Sequence, residues 1–233
     1  MKLFVQRQLS KYGLKVGRTN PIPFDAEQRF KEHYETIKPH TMVSAERCYL
    51  VYQLVQHVVR NDISGAIVEC GVWRGGVCML AALTLRDLGD TRDIYLFDTF
   101  SGMAQPGEKD ITTDGRAAGA DYTGKHAVSV EIVREHMAST GYENFHLVPG
   151  MVEDTLPGEA PEEIALLRLD TDWYASTLHE LETMFPRVSK SGAVIIDDYA
   201  KWDGAKKAVH EYLHKESLNH VLFRISGNRV IFK

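Results

Sequence analysis

A chain of 233 residues, 44% apolar and 25% charged, is long enough for one packed α/β domain with an appendage. Its net charge of −5 is spread over mixed acids and bases without a basic block, which argues against nucleic acid as a partner, and no segment approaches the roughly 20 apolar residues of a membrane span. Cys48, Cys70 and Cys78 lack metal-type spacing and Met1 to Gly13 has no apolar core of a signal peptide, so the expectation is a reduced, cytoplasmic protein with no membrane partner.

In chain order, residues 1–43 are polar, contain Pro21 and Pro23, and read as an arm with one short helix around Ala26 to Ile37; residues 44–233 read as one domain. Ser44 is placed to cap a helix to Val59 whose apolar residues, Cys48, Val51, Leu54, Val55 and Val58, fall at helical spacing. Short apolar strand patterns then alternate with helical ones: Ala66 to Cys70, Gly76 to Leu88, Ile94 to Asp98, Val128 to Ala138, Phe145 to Val148, a strand from Ile164 to Asp170, Ser176 to Val188, a strand from Gly192 to Asp197, and Gly204 to His214. The strands Val221 to Ile225 and Arg229 to Phe232 flank a Ser226-Gly227-Asn228 turn. Such alternation predicts a doubly wound, Rossmann-like α/β sheet, mostly parallel, with an antiparallel hairpin at one edge. The stretch from Ser101 to Lys125, with His126 at its exit, is rich in Gly, Asp and Thr and reads as a lid over the site, mobile when the site is empty.

Two apolar runs close on carboxylates: Ile164-Ala-Leu-Leu-Arg-Leu-Asp170-Thr-Asp172 and Gly192-Ala-Val-Ile-Ile-Asp197-Asp198-Tyr199. Carboxyl ends of parallel strands are where open α/β sheets bind ligands, so Asp170, Asp197 and Asp198 are candidate ligands of an oxygen-loving cation, Mg²⁺ above all. Adjacent strand residues face opposite ways, so Asp197 and Asp198 both ligate only if the strand has ended before them. Asp172, beyond the strand end, is a candidate general base, and His126 a second. The turn Glu69-Cys70-Gly71-Val72-Trp73-Arg74-Gly75-Gly76 places glycines where a backbone approaches a ligand. Glu69 beside them would repel a pyrophosphate and attract the cationic S-adenosylmethionine, and Asp98, about 20 residues beyond Gly76, is placed to take ribose hydroxyls. Tyr199 and Trp202 either wall a substrate ring or pack their loop onto the sheet. Rival patterns exist: His210-Glu211-Tyr212-Leu213-His214 spells the H-E-x-x-H of zinc peptidases, on a helical side shared with Lys206, and Asp170-Thr171-Asp172 spells the D-x-D of metal-dependent glycosyltransferases.

Seven stretches, in order, carry a resemblance: Thr41-Met42-Val43, Val68 to Gly76, Phe97 to Met103, Val128 to Glu131, Glu153 to Pro157, Leu169 to Asp172 and Ile195 to Tyr199. Together they resemble the S-adenosylmethionine-dependent, magnesium-dependent sugar O-methyltransferases of antibiotic biosynthesis typified by macrocin, mycinamicin and novobiocin enzymes. The resemblance implies a class I methyltransferase fold and cofactor contacts from Thr41, Met42, Glu69, Gly71, Asp98, Ser101, the turn of Gly150, Met151 and Val152, and Asp170. It also implies magnesium at Asp170, Asp197 and Asp198, a base at Asp172, and a homodimer. The implied acceptor is a hydroxylated small molecule, a sugar or glycosylated natural product in preference to a catechol. The lid sequence from Asp110 to Lys125 matches nothing that names the acceptor.

Overall fold

Strands buried on both faces are built from continuous apolar runs rather than alternating ones, and the centre of this protein follows that rule. The computed structural model describes residues 21–233, so the first 20 residues of the expected arm lie outside the described residues. Five parallel strands, β1 (Ala66–Cys70), β2 (Ile94–Asp98), β3 (Phe145–Pro149), β4 (Ile164–Leu169) and β5 (Val188–Ile196), join the antiparallel pair β6 (Phe223–Ile225) and β7 (Asn228–Phe232) in one sheet of order β3-β2-β1-β4-β5-β7-β6. β1 and β4 are buried at every position. The expected antiparallel hairpin is present at the edge, its two-residue turn entered through Ser226 at φ 53°.

Pleating divides the sheet side chains between two layers. Ile67, Leu166, Ala193, Ile195 and Val230 pack on α1 (Gln28–Ile37), α2 (Ala45–Arg60), α3 (Gly76–Leu88) and α4 (Val130–Ser139). Val68, Leu167, Leu169, Val194 and Ile196 pack on the other face, against the one-turn α5 (Val152–Thr155), α6 (Tyr174–Met184) and α7 (Asp203–Lys215). Ser44 caps α2 by accepting from the Arg47 N–H at 3.4 Å, and the expected stripe from Cys48 to Val58 is buried. Phe30, Tyr34 and Ile37 join the same core, so from α1 onward the arm is docked on the domain. α6 stops at Met184, short of the expected Val188, because Pro186 has no N–H to continue the ladder and the chain tightens into a 3₁₀ turn over Phe185–Arg187. Among the described residues no helix is long and apolar enough to cross a membrane.

Candidate active site

Sheet order reverses between β1 and β4, and at such a point the loops leave in opposite directions and open a crevice beyond the carboxyl ends. A cleft of about 350 Å³ lies there, walled among others by Met42, Asp98, Met151, Asp170, Asp172 and Lys201. The turns after β1 and β4 press together: the Asp170 N–H donates to the Cys70 carbonyl at 2.9 Å, and a Cβ on Gly71, at φ +81°, would stand 2.1 Å from the Asp170 carbonyl oxygen. Gly76 meets the His40 carbonyl in the same way, at 2.5 Å. The glycines expected to admit a ligand therefore admit the protein's own backbone, although Gly71 still lines the cleft.

The centre of the site is a side chain to which the sequence reading gave no role. Arg168 lies opposite Glu69 of β1 and Ile195 of β5 in the ladder. Side chains two apart share a face, so Glu69, Arg168, Asp170 and Asp197 all turn to the α2 side. The Arg168 guanidinium is 3% exposed and pairs with Glu69, with Asp170 at 2.8 Å and with Asp197 at 2.6 Å. Arg47 of α2 adds a bond to Asp197 Oδ2 at 2.5 Å, and Asn228 donates to Asp197 Oδ1 at 2.9 Å. Glu69 also accepts from the Cys78 thiol at 2.8 Å. Its carboxylate is thus buried, held by Arg168 and Cys78, and stands outside the cleft wall, where it orders the acid cluster rather than facing a cationic ligand.

β5 ends at Ile196, which meets the condition for both following aspartates to turn inward. Oxygens of Asp170, Asp197 and Asp198 lie within 4.8 Å of one another, and among the described residues this is the group of three or more acids, histidines or cysteines that could hold a metal ion. Burial, then the neighbouring aspartates, pushes the Asp198 carboxyl well above its ordinary value; burial does the same to Asp170 against the pull of Arg168. Asp197 goes the other way, because Arg168 and Arg47 outweigh the effect of burial. Glu69, Asp170, Asp172, Asp197 and Asp198 surround only Arg47, Arg168 and Lys201. Counted as ionised, the five carboxylates exceed the three cations by two charges, the charge of a divalent cation, and the donors are all oxygen, as Mg²⁺ prefers.

Asp172 sits past the strand end in the left-handed region, φ 65°, a conformation that non-glycine residues hold only where surroundings impose it. Its N–H donates to Asp198 Oδ2 at 3.2 Å, and its Oδ1 accepts from Lys201 Nζ at 2.7 Å and Trp202 Nε1 at 2.6 Å. Burial works against the Lys201 ammonium, but Asp172 and Asp198 outweigh it and raise its pKa. Trp202 is fully buried against Trp173 and Tyr122, and the Tyr199 hydroxyl meets His210 Nε2 at 2.7 Å. Both aromatics therefore pack the loop; the aromatic walls of the cleft are Trp73, Phe97 and Tyr122. His126 reaches the rim, edge-on to Trp73 at 6.3 Å between ring centres.

The lid does cover the cleft, through Met103, Ala104, Tyr122, Lys125 and His126. Its two ends are pinned together, Met103 N–H to the Lys125 carbonyl and Gly124 N–H to the Met103 carbonyl, both at 2.9 Å. Its middle is held by buried Asp110, which accepts from Tyr174 N–H and Gly107 N–H, each at 2.7 Å. Asp110→Ala is expected to cost about 2 kcal/mol, the usual scale for hydrogen bonds to a charged group, and to speed proteolytic cleavage within residues 101–126. Urea unfolding and timed limited proteolysis check both; unchanged cleavage would show that the anchor lies elsewhere.

On the far side of the cleft, Asp98 Oδ2 accepts from the N–H groups of Val72 and Trp73 at 2.8 and 3.0 Å, and Oδ1 from Phe100 N–H at 2.8 Å. It braces the β1 turn and keeps capacity on Oδ1. Met42, Gly71, Gly150, Met151 and Val152 line the cleft. Thr41 does not; its hydroxyl accepts from Val43 N–H at 3.0 Å. Ser101 is exposed outside the wall, whose lining at that turn comes from Thr99, Gly102 and Met103.

A family model described as Macrocin-O-methyltransferase (TylF) matches residues 4–233. The chain belongs to the macrocin O-methyltransferase family. It is 36% identical over 197 residues, 83% of this chain and 75% of the relative, to an 8-demethyl-8-(2,3-dimethoxy-alpha-L-rhamnosyl)-tetracenomycin-C 4'-O-methyltransferase of Streptomyces olivaceus. Demethyldecarbamoylnovobiocin O-methyltransferase of Streptomyces niveus is 36% identical over 198 residues, again 83% of this chain and 75% of the relative. The solved O-methyltransferase NovP superposes with a TM-score of 0.74 at 34% identity, over 83% of this chain and 82% of that one. As a macrocin O-methyltransferase family member the protein is an S-adenosylmethionine-dependent O-methyltransferase with a class I Rossmann-like sheet. That assignment displaces the glycosyltransferase reading of Asp170-Thr171-Asp172. The H-E-x-x-H pattern has a structural account as well: His210 meets Tyr199, and Glu211 accepts from the Tyr174 hydroxyl at 2.9 Å.

Proposed function

We propose that this methyltransferase acts on a sugar hydroxyl of a glycosylated natural product and requires Mg²⁺ held by Asp170, Asp197 and Asp198. The observation that carries the reading is the convergence of those three carboxylates in the cleft beyond the ends of β4 and β5, with ligand oxygens within 4.8 Å of one another. Relatives named for tetracenomycin, novobiocin and mycinamicin methylation support the acceptor class. Mg²⁺ held there would supply Lewis-acid chemistry, orienting an acceptor hydroxyl and lowering its pKa. Arg47 and Arg168 fix Asp197 in place, and Arg168 also fixes Asp170. S-adenosylmethionine, when bound, would supply its methyl group to the acceptor oxygen and leave as S-adenosylhomocysteine, and Oδ2 of Asp172 would take the hydroxyl proton. Asp98 Oδ1 and the Gly150 to Val152 turn take the cofactor on the opposite wall.

A homodimer belongs to the same reading, supported by the side chain of Phe24 in the arm, which is 99% exposed, and light scattering tests it. The decisive experiment is methyl transfer to a panel of glycosylated acceptors after treatment with EDTA, with calorimetry of S-adenosylmethionine binding in parallel. Transfer is expected to vanish without metal and return with Mg²⁺, while cofactor binding persists in both states. Full turnover in EDTA would overturn the metal assignment, and transfer to catechols alone would overturn the acceptor.

A further inference from the structure

We infer that Trp202 and Lys201 are the positioning residues of Asp172, and that through Trp202 the seating of the lid and the aim of the base are one event. The inference rests on the reading of Asp172 as the base. Both donors end on the same oxygen, Lys201 Nζ at 2.7 Å and Trp202 Nε1 at 2.6 Å from Oδ1. Two donors on Oδ1 fix the plane of the carboxylate and present Oδ2 as the proton acceptor. The backbone is held from the other side, with Asp172 at φ 65° and its N–H on Asp198, so the side chain starts from a strained position that the two donors complete.

Trp202 is also where the lid meets the site. Its ring packs edge-on to Tyr122 of the lid at 5.5 Å between centres and to Trp173 at 4.9 Å, and Trp173 Nε1 donates to the lid carbonyl of Ala104 at 2.8 Å. Its backbone bridges to lid residue Thr112, and the next residue, Asp203, donates its N–H to the Ile111 carbonyl at 2.7 Å. A lid displaced from this seat removes the packing that holds the indole N–H on Asp172, so the base is aimed only when the lid is down. Keeping the base unaimed in an open cleft is a common use of such coupling, since closure then excludes water and completes the site together.

The test is a double-mutant cycle on kcat with the full-length protein. Trp202→Phe keeps a ring in the aromatic cluster and deletes the N–H; Lys201→Met deletes an ammonium on a side chain that is 59% exposed, where folding is little affected. Each is expected to lower kcat about ten- to a hundredfold, the scale of misaligned reacting groups, with cofactor Kd and acceptor KM unchanged and with Lys201→Arg recovering most of the loss. In an Asp172→Asn background the same substitutions are expected to have no further effect, because the group they aim is gone. An equal fall in kcat with and without Asp172 overturns the inference, as does a loss that appears in Kd or KM rather than kcat. Wild-type kcat in Asp172→Asn alone is a separate result: it would overturn the base itself. If Trp202→Phe fails to fold, the Lys201→Met arm of the cycle decides alone.

Discussion

Asp170→Asn is expected to lower kcat by at least about a hundredfold, because removal of a group that merely supports a metal ligand already costs 10- to 100-fold, while S-adenosylmethionine still binds. The two effects separate because Asp170 turns its carboxylate toward Arg168, Asp197 and Asp198, whereas Asp98 and the Gly150 to Val152 turn form the opposite wall. Stability is expected to hold. The Asp170 carboxyl is pushed up by burial, with Asp197 and Asp172 adding to the shift, so an amide of the same shape relieves repulsion as it gives up one charge pair with Arg168. Calorimetry for the cofactor, methyl transfer for turnover and thermal melting for the fold check the three parts separately. Wild-type turnover in this variant would remove Asp170 from the metal site; loss of cofactor binding with an intact fold would place it in the cofactor's own contacts.

Much of the frame was legible in sequence because its elements are punctuated locally. α3 and β2 fall where the pattern predicts them, since Gly75 and Gly89 bracket the helix and Asp98 ends an unbroken apolar run. The acid trio was legible for the same reason: a carboxylate closing a buried strand is conspicuous. Contacts made across the sheet were harder. Arg168 stands inside an apolar run, and a cation there must find partners, but which ones depends on β1 and β5 flanking β4, and strand order is not written locally. Glu69 was misread for the corresponding reason; beside the glycines it suggested a ligand, yet strand parity turns it toward Arg168. Gly71 and Gly76 are small to admit neighbouring backbone, which a turn sequence cannot distinguish from admitting a ligand. Lys201 and Trp202 reach Asp172 only through a left-handed backbone and a seated lid, and neither follows from residue spacing.

Arg168 therefore carries the second large expectation. Arg168→Met is expected to destabilise the fold by about 3–5 kcal/mol, the usual penalty for removing one partner of a buried ion pair, out of a total of about 5–15 kcal/mol for a domain. The pair's own attraction is not the source of that figure, since burying charges is itself costly. What the substitution leaves behind decides it: Glu69, 3% exposed, would keep only the Cys78 thiol, and Asp197, 6% exposed, would keep Arg47 and Asn228. Glu69 is then the deeply buried unpaired charge; Asp197 is not unpaired, and Asp170, which also loses Arg168, has a side chain that is 24% exposed. It follows that Glu69→Gln added to Arg168→Met should restore much of the lost stability, because the isolated charge disappears with its partner. The double variant should nevertheless stay slow in methyl transfer, as Asp170 loses the guanidinium that positions it. Urea unfolding of the wild type, both single variants and the double variant measures the first claim, and kcat measures the second. A double variant no more stable than Arg168→Met would mean that the guanidinium matters for its packing volume rather than for the charges around it; one that regained full kcat would mean that Asp170 needs no anchor.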